Sequence, residues 1–330
     1  MDYEQLTQLG RLRRLRPIAI EAARLCGLAN PDLRFHGYST NCIYRARAAS
    51  GERFIIRLAS PGWRTLRDLT SEAMWLDALE GVPGIHAPRV LHAVDGRAVL
   101  PLTCPGIREV WNVTIMSRQP GIELTHSLTS DNLRKMGELF ARLHIHGKSW
   151  ERPTEFTDRR FDGFLSRGEP CALPEGGNQG PFTIEQAGLL AQVRERVEEA
   201  YCGLDRNDLR VIHCDLWHGN IRIDRGDLYP FDFEDTVLGF RLHDIAMAML
   251  DLLDEVGRER YPVLLAAFRD GYERLLPWPE GSMEALQAGR ILWIINWVAR
   301  FSEADLGHAV GRYEPALSRF CRTGRLLPAD

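Results

Sequence analysis

The chain has 330 residues, of which 45% are hydrophobic and 26% are charged, and its formal net charge is -4. This length and composition predict a globular protein with a well-buried core, long for one domain and comfortable for two. The mildly acidic balance argues against a dominant nucleic-acid surface.

The opening segment and the apolar runs indicate a cytoplasmic protein. No basic segment followed by an apolar core appears at the start, so we expect no signal peptide. The longest apolar run, at 291–301, falls short of the roughly 18 to 20 residues that a membrane span needs. The seven cysteines include no CxxC pair, which indicates reduced thiols. We expect no membrane and no nucleic-acid partner, and the oligomeric state stays open.

The first third of the chain predicts a small sheet after an initial helix, whose solvated face carries the basic run at 11–16. Two β-rich runs are joined by Ala49, Ser50 and Gly51, and two more flank the turn dipeptide Asp95-Gly96, so two hairpins are expected. A fifth strand follows. The runs are 34–48, 53–59, 87–94, 97–102 and 109–116.

One helix is predicted between these hairpins, over 65–81. Its apolar residues recur at helical spacing, and Gly81 closes the segment. Glu72 lies within the apolar stripe instead of on the water-facing side. An acid in that position needs a cationic partner.

Helical periodicity dominates after residue 118. The segment 130–147 has one apolar face and Gly147 as its stop, and a capping box of Thr183 and Gln186 opens the next helix. A Gly- and Pro-rich surface loop is expected at 168–181. Three more helical segments follow, at 242–256, 261–276 and 283–301.

The segment HCDLWHGNIRIDRGDLYPFDFED, residues 213–235, carries the chemistry. Asp215 precedes Asn220 by five residues, and Asp232 follows twelve residues later. Phosphoryl transfer from a nucleotide needs a group that orients the attacking hydroxyl, together with oxygen ligands for Mg²⁺. Asp215 suits the first role, and Asn220 and Asp232 suit the second.

This segment resembles the His-x-Asp-(x)4-Asn signature and downstream Asp of the aminoglycoside phosphotransferase and choline kinase family, relatives of protein kinases. GYSTNCIYRA, FARLH and GFRLHDIA match in order, so the resemblance covers roughly residues 30–255. It implies an α+β, two-lobed, protein-kinase-like fold. Residues 1–117 would form an antiparallel-sheet nucleotide-binding lobe with one key helix, and 118–330 a larger, mainly helical catalytic and substrate-binding lobe.

The resemblance also implies roles for individual residues. Asp215 would be the catalytic base, His213 would shape its loop, Asn220 and Asp232 would bind Mg²⁺, and Asp244 would hold the loop by hydrogen bonds. In the nucleotide-binding lobe, Glu72 would pair with the phosphate-holding cation of the third strand, Arg57, which stands where relatives often have lysine. The remaining ATP-contacting residues would be Ser39, Thr40 and Asn41 in the hairpin and Met116 and Ser117 in the linker.

The implied activity is an ATP- and Mg²⁺-dependent kinase acting on a hydroxyl of a small molecule such as an aminoglycoside, an amino alcohol or homoserine. A protein Ser/Thr acceptor is a narrower variant. One alternative is a metal-dependent phosphohydrolase with ligands among His213, Asp215, His218, His243 and Asp244. Another is a nucleotide-binding pseudokinase, which the complete Asp215, Asn220 and Asp232 set disfavours.

Two further patterns have structural interpretations. Trp293, Trp297 and Phe301 recur at helical spacing, which could cradle a quaternary ammonium but favours core packing. The acidic residues Asp251, Asp254 and Glu255 could attract a cationic acceptor, although solvated helix faces are the preferred interpretation.

Overall fold

The computed structural model describes residues 6–157, 159–165, 168–175 and 180–327. Part of the predicted loop at 168–181, and the first five residues considered for a signal peptide, lie outside this set. Contacts divide the chain into two compact units. Unit 1 comprises Met1–Ile122, Glu151–Thr157 and Arg222–Glu234, and unit 2 comprises Glu123–Trp150, Asp158–Ile221 and Asp235–Asp330.

Unit 1 contains a five-stranded antiparallel sheet in the order β1-β2-β3-β5-β4. Its core joins apolar residues of the sheet to the buried face of the first helix. The helices are α1 (Gln8–Leu25) and α2 (Leu66–Leu79). The strands are β1 (Asp32–Tyr38), β2 (Asn41–Arg47), β3 (Arg53–Ala59), β4 (Val99–Leu102) and β5 (Trp111–Ser117).

The second predicted hairpin is wrong, although its turn forms. The amide of Ala93 donates to the carbonyl of Arg97 at 2.9 Å, yet the run 87–94 contributes only an isolated bridge between Val90 and Met116. The reason is that, apart from this bond at the turn, both flanking runs bond to β5. The amide of Leu91 donates to the Ile115 carbonyl at 2.8 Å, and β4 pairs with the earlier part of β5.

Helix α2 confirms the prediction at 65–81. Thr65 and Asp68 form a capping box at its start, satisfying backbone amides that have no partner inside the helix. Leu69, Leu76 and Leu79 are buried together with Glu72. The acid therefore does lie on the buried face, as its spacing predicted.

Unit 2 is mainly helical and has its own apolar core, built largely from the later helices. Its helices are α3 (Ser130–Ser149), α4 (Ile184–Cys202), α5 (Arg241–Glu273), α6 (Met283–Phe301) and α7 (Glu303–Thr323). The short strands of the chain are β6 (Ile122–Glu123), β7 (Arg160–Phe161), β8 (Arg210–Ile212), β9 (Ile221–Asp224), β10 (Asp227–Pro230) and β11 (Val237–Gly239). They form two small sheets, β10-β9-β6 and β7-β11-β8.

Glycines set the closest approaches of α3. A Cβ on Gly137 would lie 2.0 Å from the Phe268 carbonyl oxygen, and one on Gly271 would lie 1.8 Å from the Arg134 carbonyl oxygen, so α3 and α5 touch backbone to backbone. Gly147 does not end α3, which continues to Ser149. It serves close packing instead, since a Cβ there would lie 2.1 Å from the Val211 carbonyl oxygen.

The two helical segments predicted at 242–256 and 261–276 are both present within α5. They are separated at Gly257, whose φ of 73° is left-handed. Helix α7 was not predicted, although Leu306, Val310, Tyr313 and Leu317 are buried at helical spacing along it. Within the described ranges, no helix combines the length and the hydropathy needed to span a membrane.

Candidate active site

The loop between β8 and β9 carries the predicted base, Asp215. Asp244, at the start of α5, holds this loop by hydrogen bonding. The Asp244 carboxylate accepts hydrogen bonds from the backbone amide of Cys214 at 2.7 Å and from the His144 ring at 3.0 Å. Burial alone would raise the pKa of Asp244, but His144 and the Cys214 amide lower it. A charged Asp244 therefore fixes the loop at Cys214, whose φ of 68° is rare for a residue with a side chain.

Asp215 has a hydrogen bond on each carboxylate oxygen. Asn220 donates from Nδ2 to Asp215 Oδ2 at 3.0 Å and to the Asp215 carbonyl at 2.8 Å. Arg290 of α6 donates from Nη2 to Asp215 Oδ1 at 3.1 Å. The Asp215 side chain keeps 26% of its surface exposed. Because Asn220 uses its amide nitrogen here, its carbonyl oxygen Oδ1 is the atom available for a cation.

The histidines of this region make hydrogen bonds to protein groups. Buried His213 accepts from the Asp215 amide through Nδ1 at 3.3 Å, which agrees with a loop-shaping role. His218 pairs with the Thr125 hydroxyl at 2.8 Å, and His243 pairs with the Tyr201 hydroxyl. Over the described part of the chain, no group of three or more His, Cys, Asp or Glu side chains is placed to hold a metal. Each of the three histidines thus uses at least one ring nitrogen for a protein partner.

Asp251 of α5 differs from the predicted solvated acid, because it is half-buried whereas Asp254 is exposed. Burial raises the pKa of Asp251 to about 6; Arg290 lowers it and Asp254 raises it further. A carboxyl group with a raised pKa in the folded state stabilises the protein while it is protonated. That contribution is complete below the ordinary pKa near 4 and is lost as the pH rises through about 6.

Asp251→Asn is therefore expected to stabilise the protein at pH 8 by about 1 kcal/mol, because the amide has no charge to desolvate. At pH 4, where Asp251 is itself largely neutral, the advantage should vanish. Urea unfolding of both proteins at the two pH values measures this difference. Exposed Asp227→Asn is the matched control, and an equal gain at both pH values for Asp251→Asn would contradict the assignment.

In unit 1, Arg57 in the middle of β3 is surrounded by carboxylates. It donates to both oxygens of Glu72, with the Nη1 to Oε1 distance at 3.0 Å. Glu234 lies 3.5 Å and Asp232 3.9 Å from the guanidinium. Burial would lower the pKa of Arg57, but Glu72, Glu234 and Asp232 together raise it above its ordinary value. Arginine thus takes the predicted position of the cation paired with Glu72.

Glu234 was not predicted from the sequence. This buried carboxylate accepts from Asn41 Nδ2 at 2.7 Å and from Trp63 Nε1 at 2.9 Å, in addition to its contact with Arg57. One of the two N–H donors of the Asn41 side chain is therefore used by Glu234. The available signal was position: Glu234 is the second residue after Asp232 in the FDFED run.

A cavity of about 250 Å³ lies beside Arg57 in unit 1. Apolar side chains line it, namely Ile43, Ile55, Met116 and Phe231, together with Ser117 and Asp232. The apolar side chains of this lining suit a nucleotide base. The Ser117 amide already donates to the Arg89 carbonyl at 2.8 Å, so a base contact at Ser117 would use its carbonyl. Ser39 and Thr40 form the turn between β1 and β2, and Ser39 is exposed.

Asp232 has a left-handed backbone, with φ at 66°, and its side chain is 47% exposed. A non-glycine residue in this conformation is uncommon, and such residues cluster at functional sites. Its carboxylate lines the cavity and is a suitable oxygen ligand for Mg²⁺.

The aromatic series on α6 is only partly in the core. Trp293 packs against the core of unit 2, Trp297 is half-buried, and Phe301 is 55% exposed. Core packing was therefore the correct interpretation at Trp293 and the wrong one at Phe301, since α6 leaves the core toward its carboxyl end.

Comparisons with known proteins concern the family and the fold of this chain. The family model described as the phosphotransferase enzyme family matches residues 34–278. Amicoumacin kinase of Bacillus subtilis (strain 168) is 21% identical over 238 residues, covering 72% of this chain and 68% of the relative.

Two solved structures share the fold. The amicoumacin kinase hAmiN, in complex with AMP-PNP, Ca²⁺ and Ami, superposes with a TM-score of 0.80 at 16% identity over 98% of both chains. The microcompartment-associated aminopropanol kinase superposes with a TM-score of 0.73 at 19% identity, over 94% of this chain and all of the other. The predicted α+β fold, with a small antiparallel sheet and a larger helical region, is confirmed.

Proposed function

Because this chain belongs to the phosphotransferase enzyme family and is thus a phosphotransferase, we propose that it moves the γ-phosphoryl group of ATP, with Mg²⁺, to a hydroxyl of a small molecule. The observation that carries the proposal is the geometry of Asp215. Its carboxylate is partly exposed, and donors from Asn220 and Arg290 orient it. A carboxylate arranged in this way can orient a hydroxyl and accept its proton.

The proposed reaction is a direct transfer. The acceptor hydroxyl donates a hydrogen bond to Asp215 and gives up its proton to that carboxylate as its oxygen bonds to the γ-phosphorus. The bond between this phosphorus and the β,γ-bridging oxygen breaks, and ADP leaves. Because phosphoryl transfer needs little covalent chemistry from the protein, the contribution of the chain is mainly orientation and charge.

We assign the divalent cation to Asn220 Oδ1 and the Asp232 carboxylate. The donor set fits, because both are hard oxygen ligands and Mg²⁺ usually takes only one or two ligands from the protein. When bound, the cation neutralises phosphate charge. The hAmiN complex with AMP-PNP and Ca²⁺ supports a nucleotide and a divalent cation in a relative of the same fold.

We assign the base of the nucleotide to the cavity lined by Ile43, Ile55, Met116 and Phe231. The first three residues lie within the predicted nucleotide-binding lobe 1–117, and Phe231 lies in unit 1. The phosphates would meet Arg57 and the turn at Ser39 and Thr40. The acceptor belongs to the predicted lobe 118–330, around Asp215. Relatives that act on amicoumacin and aminopropanol support a small acceptor that carries a hydroxyl group.

A coupled assay of ADP release tests this function. The purified chain would be mixed with Mg²⁺ and ATP and offered amicoumacin, 1-aminopropan-2-ol, hygromycin B, spectinomycin, choline and homoserine in turn. We expect acceptor-dependent ADP release with at least one of them and a phosphorylated acceptor by mass spectrometry. Phosphate release without a phosphorylated product, unchanged by every acceptor, would contradict a transferase.

Asp232→Ala is expected to remove the Mg²⁺ dependence of ATP binding, since the variant lacks the carboxylate assigned to the cation. Titration of ATP with and without Mg²⁺, followed calorimetrically, should give affinities that differ about tenfold or more in the parent protein and less than about twofold in the variant. Asp227→Ala, an exposed residue of the following hairpin, is the control. If Asp232→Ala still bound ATP more tightly with Mg²⁺, the cation would lie elsewhere.

A further inference from the structure

Arg290 on α6 donates a hydrogen bond to Asp215 from outside the loop. The sequence separates the two residues by 75 positions, yet Nη2 lies 3.1 Å from Asp215 Oδ1. The Arg290 side chain is only 14% exposed. A largely buried charge needs a compensating partner, and Asp215 supplies it.

The guanidinium is itself held in place. It lies over the Trp293 ring, 4.4 Å from the ring centre, which is a favourable position for a cation. The Trp293 Nε1 in turn donates to Glu169 at 2.6 Å. Glu169, Trp293 and Arg290 thus form a connected support that ends on the carboxylate of Asp215.

This support restricts the terminal rotation of the Asp215 carboxylate, which would otherwise turn easily. The terminal rotation of an aspartate carboxylate has a broad, nearly two-fold energy profile, so an unsupported carboxylate samples many orientations. Arg290 holds Oδ1 and Asn220 holds Oδ2, and two donors on different oxygens fix the carboxylate plane. A fixed plane keeps the lone pairs of Asp215 aligned for an incoming hydroxyl, which is where orientation has its kinetic effect.

We propose that Arg290 is a positioning residue for the base Asp215. This inference rests on the proposed function, because it assigns Arg290 an effect on the rate of that transfer. Arg290 does not touch the nucleotide in this scheme. Its removal should therefore lower kcat and leave the KM for Mg-ATP unchanged, a division that a purely structural role for Arg290 would not produce.

The test compares Arg290→Gln and Arg290→Lys with the parent protein, using ATP, Mg²⁺ and whichever acceptor of the panel above is phosphorylated. We expect Arg290→Gln to lower kcat by about 10- to 100-fold with the KM for Mg-ATP within about twofold. Arg290→Lys keeps the charge and one donor, so its kcat should be about tenfold higher than that of Arg290→Gln. Guanidinium ion at low millimolar concentration should partly restore Arg290→Ala, since it replaces the missing group.

The matched control is Arg300→Gln, which removes the same charge from the same helix at a residue that lies over Phe301 instead of on Asp215. It should leave kcat unchanged, and thermal unfolding of every variant separates folding from catalysis. If Arg290→Gln kept full kcat while Asp215→Asn lost it, the inference would fail and the proposed function would stand. If Arg290→Gln lost activity only in proportion to lost folded protein, with no rescue by lysine or guanidinium, Arg290 would be structural. If the parent protein transferred no phosphoryl group to any acceptor, both the inference on Arg290 and the proposed function would fail.

Discussion

Asp215→Asn is expected to lower kcat by about 10²- to 10⁴-fold, the effect of removing a general base from a proton transfer. Asparagine has the same shape and still offers an oxygen to Arg290, which donates to Oδ1 in the parent structure. The amide cannot accept the acceptor's proton, however, so the loss should fall on turnover. ATP affinity should remain within about twofold, because the nucleotide is assigned to groups of unit 1.

Initial-rate kinetics and calorimetric titration of ATP measure the two quantities separately. Asp227→Asn, the same chemical change at an exposed hairpin residue, is the matched control and should behave as the parent protein. Full turnover by Asp215→Asn would show that the carboxylate is not the base. A parallel loss of ATP affinity and turnover would instead indicate damage to the whole loop.

Arg57→Met is expected to lower the free energy of unfolding by about 3 to 5 kcal/mol, the usual result of breaking a buried ion pair by removing one partner. Arg57 and Glu72 are only 4% and 3% exposed. The substitution would leave Glu72 and Glu234 buried without their cation, and methionine fills the space without supplying charge. Urea unfolding at pH 7 measures the change.

A second substitution separates the ion pair from simple packing. Arg57→Met combined with Glu72→Leu should recover part of the lost stability, because the double variant no longer buries the Glu72 carboxylate without its cation. Arg24→Met removes one partner of an exposed pair, with Arg24 67% and Glu21 46% exposed, and should cost far less stability than Arg57→Met. A cost for Arg57→Met as small as that of Arg24→Met would mean that water reaches the Arg57 cluster.

Local signals predicted most of the secondary structure. The capping boxes at Thr65 and Thr183 could be recognised from the sequence because their partners lie three residues away. The run 87–94 failed for the opposite reason, since its hydrogen-bond partner β5 lies more than twenty residues further along the chain. Gly147 failed as a helix stop because its real constraint is the Val211 carbonyl, which is remote in sequence.

The candidate site was predicted in the same uneven way. Asp215, Asn220 and Asp232 stood out because their spacing matches a signature, and the buried position of Glu72 followed from helix periodicity. Glu234 and Arg290 were missed. Asn41 and Glu234 are 193 positions apart, and Asp215 and Arg290 are 75 apart. No local pattern encodes such a pair.

The amino-acid sequence by itself determined the family, most of the helices and strands and the spacing of the candidate site residues, because these depend on periodicity, capping and spacing between neighbours in the chain. Tertiary structure alone decided which charges meet. The three carboxylates around Arg57 and the arginine on Asp215 come from separate elements. Burial away from water makes these contacts between charged side chains energetically important, and burial is a property of the packed chain.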